Sequence, residues 1–233
     1  MLFRKSIDNN LVKTAESEIK KVSRRNFLGY VGGASALLVT AAACKKDDTP
    51  SNDGVDLGSG DPGILNYAYA LEQIEAAFYT KVAQSPYSGI TAAETSLLTD
   101  IRDHEVAHRE FFKTALGAGA IIALELDFSS IDFGNRDSVL GAAKAFEDLG
   151  VTAYNGAGQL LVRADYLLLA GKIVSVEARH AAYIRDLISN GTFADNTALD
   201  ANGLDMSRTP AQVLAIAGTY VKTKINASNL PTN

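Results

Sequence analysis

The chain repeats one arrangement of acidic, phenolic and imidazole side chains in its two halves. In the first half, Glu72 precedes Tyr79 by seven residues and a Glu-x-x-His motif follows. In the second half, Glu147 precedes Tyr154 by seven residues and another Glu-x-x-His motif follows. Residues that are three or seven positions apart share one face of an α-helix. The repeat therefore predicts helices that turn their polar side chains toward a common interior.

The two Glu-x-x-His motifs use two of the three histidines of the chain. Glu105 stands three residues before His108, and Glu177 stands three residues before His180. Each motif can present one carboxylate and one imidazole to the same point. His104 is rotated by roughly 100° from Glu105 on a helix. We therefore expect His104 at the surface or between helices.

Helical periodicity and capping signals predict four long helices, at residues 63–84, 91–116, 137–162 and 164–189. The link between the first and second helices and the link between the third and fourth helices are short. The link between the second and third helices is long, and its apolar residues Phe128, Ile131 and Phe133 are expected to pack against the helices. Pro210 opens a short fifth helix to about residue 222. The predicted fold class is all-α, a four-helix bundle with one long crossover.

The N-terminal segment differs in composition from the rest of the chain. Basic residues precede an apolar run that starts near Phe27 and ends at the only cysteine, Cys44. We interpret residues 1–43 as a targeting segment, 44–62 as a flexible tether, 63–190 as the bundle and 191–233 as a loop with the short helix. Without residues 1–43 the net charge is −9, so the remaining chain lacks the basic surface that nucleic-acid binding needs.

Two short motifs in this segment resemble export signals. The run from Ser23 to Leu28 resembles a twin-arginine signal, and Ala41 to Cys44 resembles a lipoprotein cleavage box. These resemblances imply export, a lipid on Cys44 and a membrane partner, with the protein in the periplasm or at the outer membrane. An uncleaved anchor is the alternative, but the run is shorter than the ~20 residues that a spanning helix needs. A single cysteine excludes an internal disulfide.

A bundle interior could hold the repeated carboxylates only if their charge were balanced. Unpaired buried carboxylates each cost several kcal/mol. Two divalent cations would balance four carboxylates, and neutral imidazoles would complete the ligand set. Mixed carboxylate and imidazole ligands favour iron or manganese. The predicted metal ligands are Glu72, Glu105, His108, Glu147, Glu177 and His180, and the predicted cofactors are two Fe or Mn ions.

The choice of ligand on the first helix stays open. Glu72 has the same spacing to Tyr79 that Glu147 has to Tyr154, which favours Glu72. Glu75 is the alternative ligand, or it hydrogen-bonds a histidine. We predict a catalytic part for Tyr79 and Tyr154, through a ligand carboxylate or an electron relay. Their alternative role is that of core aromatics with satisfied hydroxyls.

With the run from Asn66 to Tyr79, these motifs make residues 63–190 resemble the ferritin-like superfamily, and within it the exported desiccation-related proteins. The resemblance implies that the six ligands hold two ions, bridged by Glu105 and Glu177, that react with O2 or peroxide as in a ferroxidase or a catalase. A non-enzymatic envelope protein for stress protection or binding is the alternative. The fifth helix and the N-terminus differ from the 24-subunit storage cage, and a homodimer is compatible with the resemblance.

Overall fold

The computed structural model describes residues 54–232, which form an all-α fold around four long helices. These are α1 (Gly60–Gln84), α2 (Ala92–Leu116), α3 (Arg136–Gly158) and α4 (Ala164–Ile188). Helix α1 packs mainly on α2, and α3 packs mainly on α4. The predicted all-α four-helix bundle is confirmed. Among the described residues, none of the helices combines the length and the apolar composition needed to cross a lipid bilayer.

Contacts between the ends of the helices fix their directions. The side-chain amide of Asn66, near the start of α1, donates to the carbonyl of Gly119, just after α2, so α1 and α2 are antiparallel. At the start of α3, Arg136 donates to Glu94 at the start of α2. Helices α2 and α3 are therefore parallel, and the chain has to cross the length of the bundle between them.

The crossover from residue 120 to 135 is held on the outer face of α1 by side-chain amides. Asn66 accepts a hydrogen bond from the backbone N–H of Ile121, and Gln73 accepts one from that of Leu124. The rings of Phe128 and Phe133 lie 6.1 and 5.8 Å from the ring of Phe78. The predicted packing of the crossover aromatics is confirmed. Because the crossover covers α1 on this side too, α1 is buried around most of its circumference.

The ends of the described chain are more ordered than the sequence predicts. Val55–Asp56 forms strand β1, which pairs in parallel with strand β2 at Ile225–Asn226. Leu57 is fully buried, and Leu230 is nearly so. The described part of the predicted tether, residues 54–62, and the residues after the short fifth helix therefore pack together beside α1. Strands of two residues carry no periodic sequence signal, which is why the prediction missed them.

Two helix ends also differ from the prediction. Helix α3 ends at Gly158 rather than near residue 162. The backbone N–H groups of Val162 and Arg163 are bonded instead to the carboxylate of Asp61, at 2.8 and 3.0 Å. The fifth helix, α5 (Pro210–Ala217), has the Pro at its first turn as predicted but ends before the predicted limit near residue 222, and a short 3-10 turn to Tyr220 follows it.

Close packing of the segment before α5 depends on a glycine in α3. The N–H of Arg208 donates to the carbonyl of Thr152 at 3.0 Å, and its guanidinium donates to the hydroxyl of Thr152 at 2.8 Å. A Cβ on Gly156 would overlap the carbonyl oxygen of Arg208. The segment can therefore dock on α3 only where a side chain is absent.

We predict that Gly156→Ala lowers the free energy of unfolding by about 1–3 kcal/mol, because the methyl group displaces the backbone of Arg208. Gly171→Ala in α4 is the matched control, since a Cβ there meets nothing within 4 Å. That control should be neutral or stabilising by about 0.5–1 kcal/mol. Urea denaturation of both variants measures the difference. Equal stability of the two variants would contradict the close approach at Gly156.

Candidate metal centre

Each of the four long helices supplies buried side chains to one polar cluster in the middle of the bundle. The cluster contains all six residues that the sequence predicts as metal ligands: Glu72, Glu105, His108, Glu147, Glu177 and His180. The four carboxylates are fully buried. His180 is buried as well, and the side chain of His108 is 13% exposed. The pattern of the two sequence halves therefore converges in space.

The six residues form two overlapping groups of four. One group consists of Glu72, Glu105, His108 and Glu177, and the other of Glu105, Glu147, Glu177 and His180. Within each group the donor atoms lie within 4.8 Å of one another. Glu105 and Glu177 belong to both groups. Each half of the sequence repeat therefore supplies one terminal Glu, one His and one shared Glu.

Both imidazoles turn Nδ1 toward the carboxylates. Nδ1 of His108 lies 2.9 Å from Glu177, 3.4 Å from Glu72 and 3.5 Å from Glu105. In the related arrangement, Nδ1 of His180 lies 2.8 Å from Glu105, 3.4 Å from Glu147 and 3.8 Å from Glu177. Each ring nitrogen thus faces three carboxylates. The site has an approximate two-fold symmetry that exchanges the two halves of the repeat.

The donor atoms converge without hydrogen-bonding to one another. Both Nδ1 atoms, both oxygens of Glu105 and Glu177, and one oxygen each of Glu72 and Glu147 are buried without an aligned hydrogen-bond partner. Buried polar atoms in folded proteins are nearly always satisfied. Short distances without alignment are the arrangement that a shared cation requires, because its ligands point at the ion and not at each other. The residues therefore fit a metal centre of carboxylate and imidazole donors.

Tyr79 and Tyr154 bond to the terminal carboxylates across the two-fold axis. The hydroxyl of Tyr79 in α1 donates to Glu147 in α3 at 2.5 Å. The hydroxyl of Tyr154 in α3 donates to Glu72 in α1. Burial, followed by the charge of the bonded carboxylate, raises the pKa of each phenol well above its usual value. Both tyrosines therefore stay neutral donors that orient a carboxylate.

A fifth carboxylate, that of Glu75, is buried beside the two groups but belongs to neither. It follows Glu72 by three residues, as Gly150 follows Glu147 in the other half of the repeat. A Cβ on residue 150 would come within 3.0 Å of Glu75 and 3.6 Å of Glu177. The missing side chain at Gly150 thus makes the space that Glu75 fills. Of the two acids left open on the first helix, Glu72 is the one among the converging donors.

Burial dominates the acidity of most of the carboxylates. It raises the pKa of Glu72 to about 7, although contacts with His108 oppose the shift. Burial and then repulsion from the neighbouring acids raise the pKa of Glu75 and Glu177 well above the usual value. Two divalent cations balance four carboxylates, so a proton on Glu75 would leave the loaded cluster neutral.

The imidazoles and Glu105 shift in the opposite sense, because their close contacts outweigh burial. Burial lowers the pKa of both rings, but the carboxylates around them raise it to about 12 for His108 and to about 10 for His180. Burial raises the pKa of Glu105, but the same two rings lower it to about 2. In the absence of metal, protons on the imidazoles therefore supply the balancing charge.

His104 lies between α2 and α4, one of the two places that the sequence allowed. Its Nδ1 lies 2.9 Å from Nε2 of His180, and the two rings are stacked with centroids 5.2 Å apart. Rotation from Glu105 alone does not connect His104 with the site. The signal was the spacing of four residues to His108, which places both histidines on one helix face. Cys44 lies outside the described residues.

Comparison with known proteins agrees with the fold. The family model for the ferritin-like domain matches residues 60–190, which span all four long helices and every residue of the cluster. No curated protein matches the chain. The matched segment is more than half of the 233 residues. The chain belongs to the ferritin-like family.

Proposed function

We propose that this chain is an exported di-metal carboxylate protein, in which two Fe or Mn ions oxidise metal or consume O2 or peroxide. The observation that carries the proposal is the pair of four-residue donor groups that share Glu105 and Glu177. Glu105 and Glu177, which belong to both groups, would help to hold both ions. Ions of this kind supply redox chemistry, because they change oxidation state within one ligand set.

The protein side chains have three tasks in this proposal. The carboxylates and the two Nδ1 atoms bind the ions. Tyr79 and Tyr154 orient the terminal carboxylates, and we propose that their hydroxyls also take part in catalysis by adjusting the hydrogen bonds to Glu147 and Glu72. Glu75 holds a proton close to the shared Glu177, since burial raises the pKa of both acids.

We also propose that the chain is a lipoprotein of the desiccation-related group, anchored to a membrane through Cys44. The support comes from the sequence alone, from the twin-arginine motif and the cleavage box. Residues between Cys44 and Gly54 would span at most about 35 Å when extended. The bundle would therefore stay close to the membrane surface in the periplasm or at the outer membrane.

Metal analysis tests the di-metal proposal. We predict about two Fe or Mn per chain in protein lacking residues 1–43, and a loss of bound metal in Glu105→Ala and His180→Ala. Glu110→Ala is the matched control on the same helix, because Glu110 is exposed and pairs with Arg109. Wild-type protein that takes up no metal after supplementation, while remaining folded by circular dichroism, would refute the proposal.

Activity measurements then separate the reactions. We predict that the loaded protein oxidises added Fe(II) under O2 or decomposes H2O2, and that Tyr79→Phe and Tyr154→Phe slow the reaction at unchanged metal content. The reason is that each loses the hydrogen bond to a terminal carboxylate while the ring is kept. Absorbance and oxygen-electrode assays measure both reactions. A site that binds two ions but turns over neither reactant would indicate a structural metal and a non-enzymatic protein.

Metal affinity should depend on pH in a defined direction. Without metal, burial is outweighed by the carboxylates, which raise the pKa of His108 to about 12 and that of His180 to about 10, and burial raises the pKa of Glu72 to about 7. Bound ligands are deprotonated, so loading releases protons and the apparent affinity falls as the pH is lowered. We expect a change of roughly tenfold per pH unit for each proton released. Calorimetry in buffers of different ionisation enthalpy measures the release. Affinity that is constant between pH 6 and 8 would contradict these shifts.

The lipid anchor has an independent test. In a host with twin-arginine export and lipoprotein processing, we predict that the full chain incorporates labelled palmitate and that Cys44→Ser does not. Arg24→Lys with Arg25→Lys should retain the unprocessed precursor in the cytoplasm. Membrane fractionation and fluorography measure both outcomes. A wild-type chain that is exported without label would remove the anchor from the proposal and leave the metal centre untouched.

A further inference from the structure

We propose that His104 is a positioning residue for His180, and that it makes the two halves of the site unequal. The group around His180 then binds its ion more tightly than the group around His108 does. This inference rests on the di-metal function proposed above. It concerns the hydrogen bond between His104 and His180, which lies outside the converging donors. Within the part of the chain that the structure describes, only one half of the repeat has such a bond.

The geometry at His180 favours a fixed ring. Its Nδ1 faces the carboxylates, so Nε2 is the outward nitrogen, and this atom lies 2.9 Å from Nδ1 of His104. The two rings are almost parallel, with an angle of 6° between their planes. A histidine that binds metal through one nitrogen usually donates its other N–H to a fixed acceptor. In the tautomer of His104 that carries its proton on Nε2, Nδ1 is that acceptor, and the bond leaves the lone pair of His180 Nδ1 directed at the carboxylates.

The other half of the site lacks this support. Within residues 54–232, no side chain hydrogen-bonds Nε2 of His108. The position that corresponds to His104 in the repeat is the one before Glu177, and it is occupied by Val176. An isopropyl group offers no acceptor. The ring of His108 is also more exposed than that of His180, at 13% against 6% of the side chain. The approximate two-fold symmetry of the donors therefore does not extend to what holds the rings.

The consequence is a difference in affinity between two groups with the same donor types. Loss of the partner that orients a metal-binding histidine lowers metal affinity about 10–100-fold. His180 has that partner and His108 does not, so the second group is expected to fill first. Partial loading should then give a protein with one ion, held by Glu105, Glu147, Glu177 and His180.

Two substitutions separate the hydrogen bond from the stacking of the rings. His104→Phe keeps an aromatic ring against His180 but removes the acceptor. His104→Gln keeps an acceptor without the ring. With Mn(II) as the probe, we expect wild-type protein to bind two ions in two steps, and His104→Phe to weaken only the tighter step by about 10–100-fold. His104→Gln should retain most of that step. His180→Ala and His108→Ala identify which step belongs to which group.

A spectroscopic signal checks that the effect is one of positioning. In Zn(II)-loaded protein, the exchangeable Nε2–H proton of His180 should give a protected signal in the wild type and in His104→Gln, and exchange faster in His104→Phe. Unchanged Mn(II) binding in His104→Phe, with two ions still bound by the wild type, would refute the inference alone. Equal weakening in His104→Phe and His104→Gln would also refute it, because the acceptor that His104→Gln retains would then have no effect on Mn(II) affinity. A wild type without bound metal would refute the proposed function instead.

Discussion

The structure depends on one electrostatic constraint, the burial of five carboxylates and two imidazoles in the middle of a helical bundle. Each unpaired charge in such a place costs several kcal/mol. Without metal, the balance comes from protons on the imidazoles and on acids such as Glu177, whose pKa burial raises. With metal, the ions replace those protons. The rest of the bundle buries the four ligand carboxylates completely and holds the donors pointing inward.

A duplicated pattern builds the centre, and two substitutions within the pattern break its symmetry. The cross-bonded pairs of Tyr79 with Glu147 and Tyr154 with Glu72 obey the two-fold axis. Gly150 and Glu75 do not obey it, because the second half has no side chain at position 150 and the side chain of Glu75 from the first half fills that space. His104 beside His180 is the second break. Two halves with equal donors thus have unequal surroundings.

The sequence predicted the helices and the converging donors because both follow from local spacing. Positions three and seven apart share a helix face wherever the helix lies, so Glu105 and His108 could be paired without a structure. What the sequence could not give depends on partners far along the chain. Asp61 bonds the backbone N–H groups of Val162 and Arg163 in the link between α3 and α4. Likewise, only the facing Gly150 shows why Glu75 can be buried next to the other acids.

The four helices cover the centre unequally. Most residues of α1 are buried, beneath α2, α3 and the crossover, whereas α2 and α4 bury few side chains apart from those that face the cluster. The centre is therefore least covered along the seam between α2 and α4, where His104 is exposed and the side chain of His108 is partly so. An ion entering or leaving the centre would have the fewest side chains to displace along that seam. The apolar side of the bundle around α1 would not have to open for such an exchange.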